Sequence, residues 1–166
     1  FNYVRISGAG GHQSGGGMYL SNSNPTMQNV KINNSSGGWF GGGIYFLGSH
    51  PTLINCTISG CSAEWGGGMF VELSHPTFIN CTISGNTATW MGGGGIWLEE
   101  SNSTLINVTI KENYSEGGSA GIHINGSPTL NNVTIKDNYC NGNGGGLRIE
   151  NGSNPTLYNC TITDNE

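Results

Sequence analysis

The feature that most limits what this chain can fold into is a short unit repeated end to end. The first apolar residue after each glycine cluster falls at Met18, Ile44, Met69, Ile96, Ile122 and Leu147, in steps of 26, 25, 27, 26 and 25 residues. A second landmark, an asparagine, falls at Asn29, Asn55, Asn80, Asn107, Asn132 and Asn159, in steps of 26, 25, 27, 25 and 27. Two landmarks with nearly one period define a repeat. A unit of this length cannot bury its own apolar face until neighbours stack on it, which makes a solenoid.

Within each unit the apolar residues alternate, as Ile44 and Phe46 do in one segment and Cys56 and Ile58 in another. A period of two belongs to a strand, and no segment shows a helical period. Three short strands per repeat are expected around GGIYFL, PTL and CTI, parted by glycine, by Ser-His-Pro or Ser-Asn-Pro, and by asparagine. The expected fold is therefore all-β: a right-handed parallel β-helix of about six coils of 25–27 residues, with the hand set by the bias of parallel crossovers. Stacked at the inter-strand spacing of about 4.8 Å, the coils would form a rod roughly 30 Å long. Residues 1–166 read as one solenoid segment, an excerpt of a longer one. FNYVRISG resembles the end of a repeat, CTITDNE stops before the next glycine cluster, and neither end carries a polar cap. The alternative is a unit whose copies stack end to end.

Composition narrows the partners. Only 9% of residues are charged and the net charge is −5, which disfavours nucleic acid, polyuronate and anionic membranes and leaves a neutral ligand open. The chain has no apolar run long enough for a membrane helix. Its 30 glycines would suit disorder, but the regularly placed Ile, Leu, Val, Met and Trp give the chain a core to bury.

The core reads as like-on-like columns: Val30, Cys56, Cys81, Val108, Val133 and Cys160 in one, and Ile32, Ile58, Ile83, Ile110, Ile135 and Ile162 in the next. The column Asn29, Asn55, Asn80, Asn107, Asn132 and Asn159 is expected to bond amide to amide between coils and to tolerate a left-handed bend. Five of these asparagines, from Asn55 on, form Asn-x-Thr sequons, but they are expected to point inward and so to refuse a glycan. Cys56, Cys81 and Cys160 alternate with valine as small buried hydrophobes, whereas Cys61 and Cys140 read as turn residues without a repeat partner. With five cysteines, a complete disulfide framework is impossible.

The tetrapeptides GGIY, GGMF and GGIW at one end of the unit, with ISGN (83–86), IKEN (110–113) and IKDN (135–138) at the other, resemble the outer-membrane repeats of chlamydial polymorphic membrane proteins. That family pairs a Gly-Gly-aliphatic motif with Phe-x-x-Asn, and here Ile stands in place of Phe. The unit is also similar to repeats of the pectin-lyase-like superfold. The resemblance covers essentially the whole chain and implies a β-helix at the cell surface or outside the cell, with adhesion as the associated role.

Two candidate sites follow. On the first strand the outward column is Tyr19, Tyr45, Phe70, Trp97, His123 and Arg148, with Trp39, Trp65 and Trp90 a turn away. Exposed rings in such a row stack on sugar faces, so a polysaccharide or a surface glycan is the expected partner unless neighbouring turns cover them. Two residues on, Glu72 and Glu99 fall one coil apart, near the roughly 5 Å separation of a retaining glycosidase. They would be an acid and nucleophile if the chain were a glycoside hydrolase or polysaccharide lyase; two solvated glutamates is the simpler reading. His50 and His75, each before a proline, read as turn residues rather than metal ligands, and no metal or cofactor is expected. Threonine columns, interrupted by Lys31 and Arg5, suggest strand propensity more than an ice-binding face. The function expected is a non-catalytic adhesive or structural rod, ahead of a glycan-active enzyme and of a fibre-forming or phage-spike-like protein.

Overall fold

The computed structural model describes residues 5–10, 13–150 and 152–166. The first four residues of FNYVRISG lie outside that range, but Arg5–Ser7 within it is a strand. Among the described residues there are only strands and turns, and every strand pairing is parallel.

Each coil contributes one strand to each of three long sheets. The first sheet stacks Met18–Ser21, Ile44–Leu47, Met69–Glu72, Ile96–Glu99, Ile122–Asn125 and Leu147–Ile149. The second stacks Thr26–Gln28, Thr52–Ile54, Thr77–Ile79, Thr104–Ile106, Thr129–Asn131 and Thr156–Tyr158. The third has seven strands, from Arg5–Ser7 through Thr57–Ser59 and Thr82–Ser84 to Thr161–Thr163. The register follows the repeat, with Ile58 opposite Ile83 and Ile83 opposite Ile110. The alternating residues therefore fill the lumen: Phe46, Phe78, Met27, Leu53, Ile83 and Leu105 are all fully buried.

A fourth sheet departs from the three-strand expectation. Ser62–Trp65, Thr87–Gly92, Tyr114–Ser115 and Tyr139–Cys140 pair in the segment between the third sheet and the glycines. Its inward residues are Ala63, Ala88, Ser115 and Cys140, too small and too mixed to mark a strand by hydrophobic alternation. Cys140 is thus a core position rather than a turn residue. Cys61 is one as well, buried one coil before Asn86 and bonding the Asn86 side-chain oxygen through its backbone N–H at 3.0 Å. All five cysteines are free thiols. Burial pushes the Cys61 thiol up, and the neighbouring Cys56 together with burial does the same to Cys81.

Two asparagine columns hold the coils in step. Asn55, Asn80, Asn107 and Asn132 turn the chain at φ of 53° to 54°, and each donates its Nδ2 to the Oδ1 of the previous coil at 2.8–3.4 Å. These side chains are exposed, which corrects their expected inward placement: a left-handed residue at a corner points its side chain away from the lumen. The inward amides belong to Asn86, Asn113 and Asn138, all buried. Each of the three spends its Oδ1 or Nδ2 on the next coil's asparagine, on a backbone N–H and on a lumen carbonyl.

The glycine triplets set the turn into the first sheet. Gly41 sits at φ 63°, and a Cβ on Gly42 would lie 2.3 Å from the Ser62 carbonyl oxygen of the next coil. The residues just before the glycines, Phe40 in one coil and Trp65 in the next, pack against the outer face of the first sheet.

Candidate functional site

The outward column of the first sheet is not an open aromatic stripe. Tyr19 is exposed, but Tyr45 retains only 8% of its accessible surface, Phe70 3%, Trp97 5% and His123 1%. Phe40, Leu47 and Trp65 pack over them and make a second hydrophobic cluster outside the solenoid lumen. Phe40 lies 4.6 Å from Phe70 and Trp65 lies 5.0 Å from Trp97, centroid to centroid. Tyr45, Phe70 and Trp97 of the expected sugar-stacking row are therefore covered, chiefly by the segments that precede the glycines, and His123 is buried beside Trp97. Strand alternation reports which face a residue takes, not what folds over that face.

The polar neighbours of this column are engaged with it. Glu99 aligns with Glu72 one coil away, as the repeat spacing implies. The Tyr45 hydroxyl donates to Glu72 Oε2; Trp97 Nε1 donates to Glu99 Oε2 at 2.9 Å, and Asn125 Nδ2 to Glu99 Oε1 at 2.8 Å. Burial, and then the bond to Glu72, pushes the Tyr45 phenol up. The two carboxylates brace the aromatic cluster along the rod.

His123 stacks on Trp97 with ring centroids 3.7 Å apart and planes 5° from parallel. Its Nε2 lies 2.9 Å from Glu150 Oε1, off the axis of a proper hydrogen bond, while Arg148 grips the other oxygen of Glu150 at 2.7 Å. Burial holds the imidazole below its ordinary value, against the pull of Glu150. Folding therefore disfavours the protonated imidazole, and the unfolded chain takes up a proton more readily below about pH 6.5. The stability this site contributes is full above that value and falls as pH drops through it, by at most about 1.4 kcal/mol per pH unit. Urea midpoints at pH 7.5 and 5.5 should show wild type losing more than His123→Phe; equal losses would mean that His123 titrates alike in both states.

Open rings gather in the segments just before the glycines. Trp39 is 55% exposed and Trp90 62%, and with Phe40, Glu64 and Trp65 they line a cleft of about 270 Å³. The backbone fixes it: Trp65 N donates to the Trp39 carbonyl at 2.8 Å and Glu64 N to the Gly38 carbonyl at 3.1 Å. Phe40 meets Trp65 edge to face, at 85° and 5.7 Å, so the wall turns a corner. Among the described residues no lysine, arginine or histidine pairs with the Glu64 carboxylate. Of the expected ligand-facing residues, Trp39, Trp65 and Trp90 come together here, apart from Tyr19. Glu64 and Phe40 were missed because the residues before the glycines change from coil to coil: Phe40 pairs with Trp65, and the partner of Phe40 one coil back is Ser14.

His50 and His75 stack at 5.0 Å, and each Nδ1 accepts a backbone N–H of the next coil, His75 N at 3.0 Å and Asn102 N at 3.2 Å. They continue a turn ladder that begins at the Asn24 oxygen, which accepts the His50 N–H at 2.6 Å.

Coils of parallel strands around a continuous apolar lumen define a β-solenoid protein. The chain belongs to the right-handed β-helix family, whose model, described as right handed beta helix region, matches residues 80–166, and to the family described as periplasmic copper-binding protein (NosD), whose model matches residues 2–114. No curated protein and no solved structure matches the chain.

Proposed function

We propose that this chain is a non-catalytic scaffold of an extracytoplasmic β-helix protein and that it recognises its ligand at the tryptophan cleft. The observation that carries this reading is the exposure of Trp39 and Trp90 around one apolar cleft, on a molecule whose first-sheet rings are mostly buried. Rigid aromatic walls on a hydrogen-bonded scaffold give contact area with little ordering cost on binding. The periplasmic description of the matched family supports a place outside the cytoplasm. Adhesion is one use of such a cleft. Hydrolysis at Glu72 and Glu99 is less favoured, because both oxygens of Glu99 and one of Glu72 already serve the aromatic cluster.

Copper, which the family description names, is not matched by the described residues. A copper site needs convergent imidazole, thiolate or thioether donors. His50 and His75 accept N–H bonds at Nδ1, so each carries its proton on Nε2, and a metal there would leave the ring without a proton on either nitrogen. Cys56 and Cys81 lie inside the lumen. No three His, Cys, Asp or Glu side chains gather among the described residues.

Arrays of glycans and of small organic cations, probed with wild type and with Trp39→Ala/Trp90→Ala, test the reading. Binding should fall at least about tenfold in the double variant and persist in Trp97→Phe, which keeps the covered cluster packed. Binding that survives the double variant would remove the cleft as the recognition site.

A further inference from the structure

We propose that the tryptophan cleft takes a free organic cation of the trimethylammonium class, an inference that rests on the cleft being the recognition site. Its lining combines Trp39, Phe40, Trp65 and Trp90 with a single polar side chain, Glu64. Aromatic faces carry negative quadrupole density, and a cation placed among several of them is held without any hydrogen bond.

The same lining argues against the competing ligands. A sugar brings several hydroxyls, each needing a partner when it leaves water, and this wall has no amide or hydroxyl side chain to offer. A primary ammonium carries three N–H donors, and Glu64 is the one side-chain acceptor. A quaternary ammonium brings no donor to satisfy. Shape points the same way: the 85° corner between Phe40 and Trp65 suits a rounded group touching several rings more than a flat ring lying on one.

Charge completes the match. Glu64, like Glu72, Glu99 and Glu116, has no cationic partner among the described residues, and it is the one acid that lines the cleft. The net charge of −5 adds a general attraction for cations. A phosphate-linked headgroup would bring its own anion toward Glu64, so the occupant is a free cation rather than a phosphocholine-bearing surface.

Tryptophan fluorescence titrations with choline chloride test this on the intact chain. Its uncharged isostere 3,3-dimethylbutan-1-ol and phosphocholine serve as comparisons, with Trp90→Ala and Glu64→Gln as variants and circular dichroism to confirm folding. Choline should give a saturable response, with the isostere and phosphocholine each at least about tenfold weaker. Glu64→Gln should weaken choline by about five- to tenfold at low ionic strength, and less in high salt. Equal binding of the isostere, tight binding of phosphocholine, or no saturable response to choline would each overturn the proposal. Array binding lost in Trp39→Ala/Trp90→Ala, together with no choline response, would keep the cleft and reject the cation; a choline response unchanged in Trp90→Ala would reject the cleft itself.

Discussion

Asn113→Ala is expected to lower the free energy of unfolding by about 4–6 kcal/mol. Asn113 Oδ1 accepts from both the backbone N–H and the side-chain amide of Asn86, each at 3.0 Å, and its Nδ2 donates to the Ile83 carbonyl at 3.2 Å and to Asn138 Oδ1 at 2.9 Å. Alanine removes all four bonds at a site water does not reach, and strands the Asn86 N–H without an acceptor. One orphaned buried donor costs about 1–3 kcal/mol, and each further lost bond adds roughly 1. The control is Asn107→Gly in the exposed column. Its Nδ2 bond to Asn80 at 3.1 Å and the one its Oδ1 accepts from Asn132 at 2.8 Å are open to water, and glycine keeps the left-handed turn, so the loss should stay near 1 kcal/mol or below. Urea unfolding of the two variants separates the columns. Equal losses would mean that the buried amides are no more structural than the exposed ones.

The second large effect belongs to the lumen. Phe78→Ala should cost about 3–5 kcal/mol. Phe78 is fully buried between Leu53 and Leu105 of the adjoining coils. The cavity left behind has little means of closing, because the strand is tied on both sides, Thr77 N to the Pro51 carbonyl at 3.0 Å and Thr104 N to the Pro76 carbonyl at 3.0 Å. Collapse would require these ladders to shift together. Phe78→Leu, which keeps most of the volume, should cost less than about 1.5 kcal/mol. An alanine variant as stable as the leucine one would show that the coils slide to fill the gap.

Much of this architecture was legible in the chain. The repeat period set the coil length, and alternation at Ile44 and Phe46 or at Cys56 and Ile58 placed the inward columns of three sheets. Legibility failed where the signal was not hydrophobic contrast. Ala63, Ala88, Ser115 and Cys140 face inward in the fourth sheet without an apolar pattern. Asn55 and Asn86 are both asparagines at coil corners, yet one is exposed and the other buried, a difference set by backbone conformation: Asn55 is left-handed and Asn86 is not. The site failed for another reason. Tyr45 and Trp97 were placed on the correct face, but Phe40 and Trp65 fold over that face from segments before the glycines whose path no local pattern records.

The recognition surface thus moves from the strand column to the segments before the glycines, where Trp39 and Trp90 stand beside Glu64. The covered column becomes support: it thickens the wall under the cleft, with Trp65 packed between Phe40 and Trp97.

The most direct measurement is hydroxyl-radical footprinting of the four tryptophans by mass spectrometry, with and without choline chloride. Trp39 and Trp90 should oxidise several times faster than Trp97, and choline should slow those two while leaving Trp97 unchanged. Oxidation of Trp97 at the rate of Trp39 would show that the strand column is open after all, and would contradict the placement of recognition at the cleft.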